Sequence, residues 1–164
     1  MSHQKIKYGK YGKPYISGEC EFHYNISHSG EWVICGIHDK DIGIDIQKID
    51  DSKQTFFEEY YSGEELLTGR YWKTAEIVYY TYVWTIKESY FKLFGMGINE
   101  DFEKLIVVSV NPLIIRLDGK IVTDVEFYSF MPDRRHIISI AIMKEPAGIR
   151  KQQVIEKINL IVKE

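Results

Sequence analysis

The stretch from Thr74 to Phe94 constrains this chain more than any other. It reads as one long helix: Thr74 is a candidate cap, Glu76 suits the first turn, and Gly95 supplies a stop. From Ile77 to Phe94 the only charged residues are Lys87, Glu88 and Lys92, and nearly all the others are aromatic or aliphatic. Such a helix has to be covered by other elements. Charges inside it are costly unless they are paired, solvated or put to use.

Strand-like runs lie on both sides of it. Phe22 to Ile26 and Trp32 to Ile37 read as strands separated by a turn at His28-Ser29-Gly30. In the next run Ile42, Ile44 and Ile46 face one way and Gly43, Asp45 and Gln47 the other. Residues 53–69 read as one or two short helices, with Ser62 a candidate N-cap. Beyond the long helix, Leu105 to Val110, Leu113 to Leu117, Val125 to Phe130 and His136 to Met143 read as strands, and Asp118-Gly119 is a hairpin turn. The tail from Ile149 to Val162 leans towards helix. This order predicts an α+β fold in which sheets cover a central helix.

At 164 residues the chain is long enough for one domain with a real core. A net charge of −3 gives no nucleic-acid signature, and no apolar run is long enough to span a bilayer. Cys20 and Cys35 match neither a zinc nor a thioredoxin-like spacing, which suits reduced thiols in a cytoplasmic protein. The 12 tyrosines suit a tyrosine-rich core. Charge is unevenly spread: residues 1–16 carry Lys5, Lys7, Lys10 and Lys13 and no acid, whereas residues 39–65 carry nine acids against three lysines. That pattern fits a phosphate site beside a cation site, or ordinary surface scatter.

Four clusters could carry chemistry, and each has a plainer reading. On the long helix Glu88 and Lys92 form an i,i+4 pair, with Lys87 adjacent. Together with Thr81, Thr85 and Ser89 they make either a polar stripe or a carboxylate between two ammonium groups facing a phosphate and its metal ion. Asp45, on an isoleucine-rich strand, is either an edge aspartate or half of a Mg²⁺ site with Glu88, to which Gln47 adds a neutral oxygen. Asn25-Ile26-Ser27-His28-Ser29-Gly30 is a serine-rich turn, an anion site, or, with much less support, a hydrolytic serine and histidine. Gly12-Lys13-Pro14 alone is a turn with a lysine.

In this order, Gly12-Lys13-Pro14, Asn25-Ile26-Ser27-His28-Ser29-Gly30, Gly43-Ile44-Asp45-Ile46 and Trp84-x-x-Lys87-Glu88-Ser89-x-x-Lys92 resemble the successive motifs of the surfactin-type 4′-phosphopantetheinyl transferases. The resemblance runs from about Tyr8 to at least Gly97. It implies a holo-acyl-carrier-protein synthase activity, in which the phosphopantetheine arm of coenzyme A moves to a serine of an acyl or peptidyl carrier protein. Adenosine 3′,5′-bisphosphate is the other product. It implies two pseudo-symmetric α+β halves in a single domain over 1–164, with about 1–70 the remainder of the first half and about 71–164 the second.

Residue by residue, the resemblance makes Asp45 and Glu88 the Mg²⁺ carboxylates and Lys87 and Lys92 phosphate contacts. Gly12, Lys13 and Pro14 would hold the adenine side, and Ser27 and His28 the 3′-phosphate. The carrier serine needs a base, for which the candidates are Glu65 and Glu88. The aromatic stretch Phe56 to Tyr61 is either a carrier-docking surface or core.

Two features depart from the pattern. Gln47 stands where many relatives have a further metal-binding glutamate, and eleven residues precede Gly12 where a longer segment is usual. The second departure implies a compact monomer, an oligomer that covers the missing segment, or a truncated product. A competing reading is a non-catalytic relative that binds coenzyme A or a carrier protein without turnover.

Overall fold

The computed structural model describes residues 5–18, 22–72 and 75–144, and the backbone of 161–163. Its strands are β1 (Lys5–Tyr8), β2 (Pro14–Ser17), β3 (His23–Ser29), β4 (Trp32–His38) and β5 (Ile42–Lys48). A 3-10 turn at Asp51–Lys53 then leads into helices α1 (Gln54–Glu58), α2 (Gly63–Tyr71) and α3 (Glu76–Leu93). They are followed by β6 (Leu105–Val110), β7 (Leu113–Leu117), β8 (Lys120–Ile121), β9 (Val125–Phe130), β10 (His136–Met143) and β11 (Ile161–Lys163). The sheets are β1-β2, β11-β4-β3, β5-β10-β9 and β6-β7-β8, with every ladder antiparallel. The fold is α+β, as the sequence predicts.

α3 is the central helix. From Tyr79 to Leu93 every residue is buried except Tyr82, Glu88 and Lys92, which are partly exposed. Its end follows from Gly95, which takes φ +66°, a conformation that costs glycine little. The Gly95 N–H donates to Lys92 O (3.1 Å) and the Met96 N–H to Phe91 O (2.8 Å), closing a Schellman motif. At the other end Ala75 occupies the cap position without a side-chain bond, and Thr74 lies outside the described residues. One side of α3 joins an aromatic core with Phe57, Tyr61 and Phe102. Tyr79, Tyr80 and Tyr90 are in that core too, whereas Tyr8, Tyr11, Tyr15 and Tyr71 are exposed, so tyrosine serves both core and surface.

The contact of α3 with β5 is set by Gly43. A Cβ there would lie 2.0 Å from Ser89 O and 2.3 Å from Leu93 N, so only glycine lets the helix lie this close. The opposite face of β5 packs Ile42, Ile44 and Ile46 with Ile34, Ile138, Ile140 and Ile142 in a second, isoleucine core.

β5 is backbone-paired with β10 along one edge. Its other edge is closed by side chains of β3. Asn25 Oδ1 accepts from Ile44 N–H (2.8 Å), Ser27 Oγ from Ile46 N–H (3.3 Å) and Ser29 Oγ from Lys48 N–H (2.8 Å). Alternate residues on one strand therefore satisfy alternate amides on the next, leaving those edge donors paired. This is why β3 runs on to Ser29, through the residues where the sequence predicts a turn. The turn is Gly30-Glu31, between the register partners Ser29 and Trp32, with Gly30 at φ +60° as a tight hairpin requires.

The strands after α3 have the boundaries predicted from sequence, and Asp118 and Gly119 both take positive φ (48° and 78°) in the β7–β8 hairpin. Of the predicted C-terminal helix, 149–160 lie outside the described residues, and Ile161–Lys163 form a strand against β4 instead. A β-branched segment opposite an open strand edge gains ladder hydrogen bonds there.

Candidate functional site

A cleft of about 590 Å³ opens between β3, β5, α1 and α3. Its polar wall is Ser27, His28, Asp45, Gln47, Lys53, Glu88 and Lys92; Phe56, Phe57 and Trp84 line it too. The local logic is short. Gly43 brings α3 onto β5, and Asp45, two residues on, projects from the same face towards that helix. Glu88 and Lys92 are one turn apart on α3 and so share a side.

Asp45 is 1% exposed. Its Oδ1 accepts from Lys92 Nζ (2.5 Å) and Ser27 Oγ (2.8 Å), and its Oδ2 from Gln47 Nε2 (3.2 Å). Lys92 also reaches Glu88 at 3.8 Å. Burial pushes the Glu88 carboxyl up to about 7, repulsion from Asp45 adds to the effect, and Lys92 opposes it. Two carboxylates held together in a half-closed site favour a bound cation, and Asp45, Glu88 and the Gln47 carboxamide are the hard oxygen donors that Mg²⁺ takes. No cluster of three His, Cys, Asp or Glu residues is present among the described residues, so a metal here would draw its remaining oxygens from water or phosphate. The donor set fits Mg²⁺.

The sequence-predicted residues divide into three groups. Ser27, His28, Asp45, Gln47, Glu88 and Lys92 share the cleft. Lys87 and Glu65 do not line it; they form a sealed pair on another side of α3, each with a fully buried side chain. Lys87 Nζ lies 3.3 Å from Glu65 Oε2 and donates to Tyr60 O (3.3 Å), over the rings of Tyr61 and Phe102. Burial draws the Lys87 ammonium below its usual pKa, and Glu65 opposes the shift. Glu65 Oε1 accepts from Val107 N–H (2.9 Å), and Oε2 from Ser62 N–H (2.9 Å) in a capping box that starts α2.

Lys13 and Pro14 line a second cavity, of about 540 Å³, with Tyr11, Tyr15, Phe22, Tyr24 and Phe94, whereas Gly12 is exposed in the β1–β2 turn and does not line it. Lys13 Nζ donates to Ile42 O (3.0 Å) and Leu93 O (2.9 Å), pinning the β1–β2 hairpin to the start of β5 and the end of α3. Burial lowers its pKa, against an opposing effect of Asp41.

Lys53 is the cleft residue that sequence reasoning missed. It lies in the turn before α1 and places Nζ 3.4 Å from Gln47 Oε1. Nothing in its flanking sequence marks it, because the return of the chain after β5 is what brings it to the site. Phe56 and Phe57 pack on Trp84 at ring distances of 5.0 and 5.3 Å. Phe57 is core and Phe56 is 41% exposed, so the aromatic stretch is partly packing and partly surface.

Residues 41–141 match the model of the 4′-phosphopantetheinyl transferase superfamily, and the chain belongs to that superfamily. Over 95 residues it is 39% identical to a 4′-phosphopantetheinyl transferase of Bacillus subtilis, an alignment covering 55% of this chain and 41% of that protein. Over 93 residues it is 36% identical to the 4′-phosphopantetheinyl transferase gsp of Aneurinibacillus migulanus, covering 54% and 37%. A longer, weaker match of 24% over 157 residues is to the L-aminoadipate-semialdehyde dehydrogenase-phosphopantetheinyl transferase of Xenopus laevis, covering 80% and 51%. The chain spans about two fifths to one half of the length of these curated relatives. The family match includes Asp45, Gln47, Glu88 and Lys92; Ser27 and His28 lie before it. No helix among the described residues is long and apolar enough to cross a membrane.

Proposed function

We propose that this protein transfers the 4′-phosphopantetheine group of coenzyme A to a serine of an acyl or peptidyl carrier protein. The observation that carries this reading is the convergence of Asp45, Glu88 and Lys92, from β5 and α3, in one cleft. In the reaction the carrier serine oxygen forms a bond to the phosphorus that bears the pantetheine arm. The phosphorus–oxygen bond to the nucleotide breaks, and adenosine 3′,5′-bisphosphate leaves.

Lys92 is the cation placed to donate to pyrophosphate oxygens as charge moves onto the leaving group. Of the two candidate bases only Glu88 lines the cleft; Glu65 is sealed. Glu88 is therefore the candidate to take the hydroxyl proton. Mg²⁺ held by Asp45 and Glu88, with Gln47 as a neutral donor, would supply charge neutralisation at the pyrophosphate. His28, exposed on the cleft wall, suits the 3′-phosphate. The cavity at Lys13 and Pro14 shares β3 and α3 with the cleft and offers aromatic faces for the adenine.

The test is direct. The chain is mixed with coenzyme A, Mg²⁺ and an apo carrier protein, and the carrier is weighed by mass spectrometry. Gain of one phosphopantetheine, lost in Glu88→Ala, is the expected result. Coenzyme binding with no gain across several carriers would make the chain a binding module and end the transferase reading.

A further inference from the structure

We infer that Ser27 is a positioning residue for the Asp45 carboxylate and not a phosphate ligand, an inference that rests on the reading of Asp45 as a cation-binding group. A serine hydroxyl has one proton to give and two lone pairs to receive. The Ser27 hydroxyl, in a residue only 4% exposed, uses all three inside the protein. It donates to Asp45 Oδ1 (2.8 Å) and accepts from Lys92 Nζ (3.0 Å) and Ile46 N–H (3.3 Å). A phosphate dianion offers acceptors only. To bind it, Ser27 would have to withdraw its single proton from a carboxylate that is itself 1% exposed.

The strand period divides the work between neighbours. Ser27 points inward to β5 and α3, whereas His28 is exposed and its ring has no hydrogen-bond partner among the described residues. One Ser27 oxygen thus ties together the Ile46 amide next to Asp45, the Asp45 carboxylate, and the ammonium of Lys92. Asn25 and Ser29 hold the same strand edge on either side but have no bond to Asp45, so the edge keeps two of its three clamps when Ser27 is changed.

The experiment separates cation from anion binding without using turnover. Mn²⁺ is titrated into the purified protein and counted by electron paramagnetic resonance. Coenzyme A is titrated by calorimetry in chelator, with no metal present. Ser27→Ala is expected to weaken Mn²⁺ binding about tenfold, the low end for loss of a group that orients a metal ligand, and to leave metal-free coenzyme A affinity within about twofold. His28→Ala is expected to do the reverse. Ser27→Thr keeps the hydroxyl and restores Mn²⁺ binding, and Asn25→Ala leaves it unchanged.

The inference is overturned if Ser27→Ala weakens metal-free coenzyme A binding and spares Mn²⁺. It is overturned equally if Asn25→Ala loses as much Mn²⁺ affinity as Ser27→Ala, because the strand edge would then be responsible. Equal Mn²⁺ binding by the wild type and Asp45→Asn overturns the cation reading itself, which is a different result from either.

Discussion

Two lysine–carboxylate pairs sit on α3, five residues apart. Lys87 pairs with Glu65 of α2, and Lys92 pairs with Asp45 of β5. In the first pair both side chains are fully buried, and both Glu65 oxygens are taken up by backbone amides and the ammonium. In the second pair Asp45 is as buried, but the Lys92 side chain is 27% exposed and looks onto a cleft beside a second carboxylate. The same ion pair is a structural pin where every lone pair is used and water is excluded. Under the proposed function it is a reactive surface, where the Lys92 cation would give way to a metal ion and a phosphate. Access and spare coordination make the difference.

The largest expected effect tests the sealed pair. Lys87→Met leaves the Glu65 carboxylate buried without its cation and is expected to cost about 3–5 kcal/mol of stability, read by denaturant unfolding. Adding Glu65→Gln, which keeps an acceptor for Val107 N–H, is expected to restore about half or more. A cost for Lys87→Met below about 1 kcal/mol would mean that the pair is not the pin described here.

The open pair is expected to fail differently. Glu88→Ala should lower the transfer rate about 10³-fold, or about 4 kcal/mol in barrier, with little change in melting temperature. A loss of stability as large as that for Lys87→Met would erase the contrast between the two pairs.

Gly43→Ala acts on the spacing that only the open pair depends on. A Cβ driven towards Ser89 O and Leu93 N is expected to cost about 1–3 kcal/mol and to lower transfer, as α3 moves off β5. Unchanged stability and transfer would show that the close approach is unnecessary.

The smallest effect is a pH dependence. The Glu88 carboxyl rises from 4.5 in the unfolded chain to about 7 in the fold, so the folded state binds more protons between those values. In chelator, stability is therefore expected to fall as pH rises from about 5 to 7, by on the order of 1–2 kcal/mol. Thermal melts of Glu88→Gln should lack this component; a wild-type slope identical to that of Glu88→Gln would remove it.

How much was legible in the sequence differs along the chain. The strands after α3 end where Pro112, the Asp118-Gly119 turn and the Asp133-Arg134-Arg135 run interrupt them, so local punctuation sufficed. β3 was harder. Asn25, Ser27 and Ser29 look like a turn because polar residues are uncommon on the inner face of a strand. Here they stand in for a backbone partner, which no local rule anticipates. Lys53 was invisible for a similar reason, since its contribution depends on how the chain returns after β5.

The sequence by itself determined the central helix, its glycine stop, the alternation that puts Gly43 and Asp45 on one face, and the order of motifs that marks the family. These are properties of neighbours along the chain, set by steric periods of two and 3.6 residues. Only the tertiary structure decided which elements cover each side of α3. That packing seals Lys87 against Glu65, opens Lys92 to the cleft, turns Ser27 inward, and gives Lys13 two backbone carbonyls to hold. A charged side chain's role depends on the solvent and partners that the fold leaves it, and those come from residues distant in sequence.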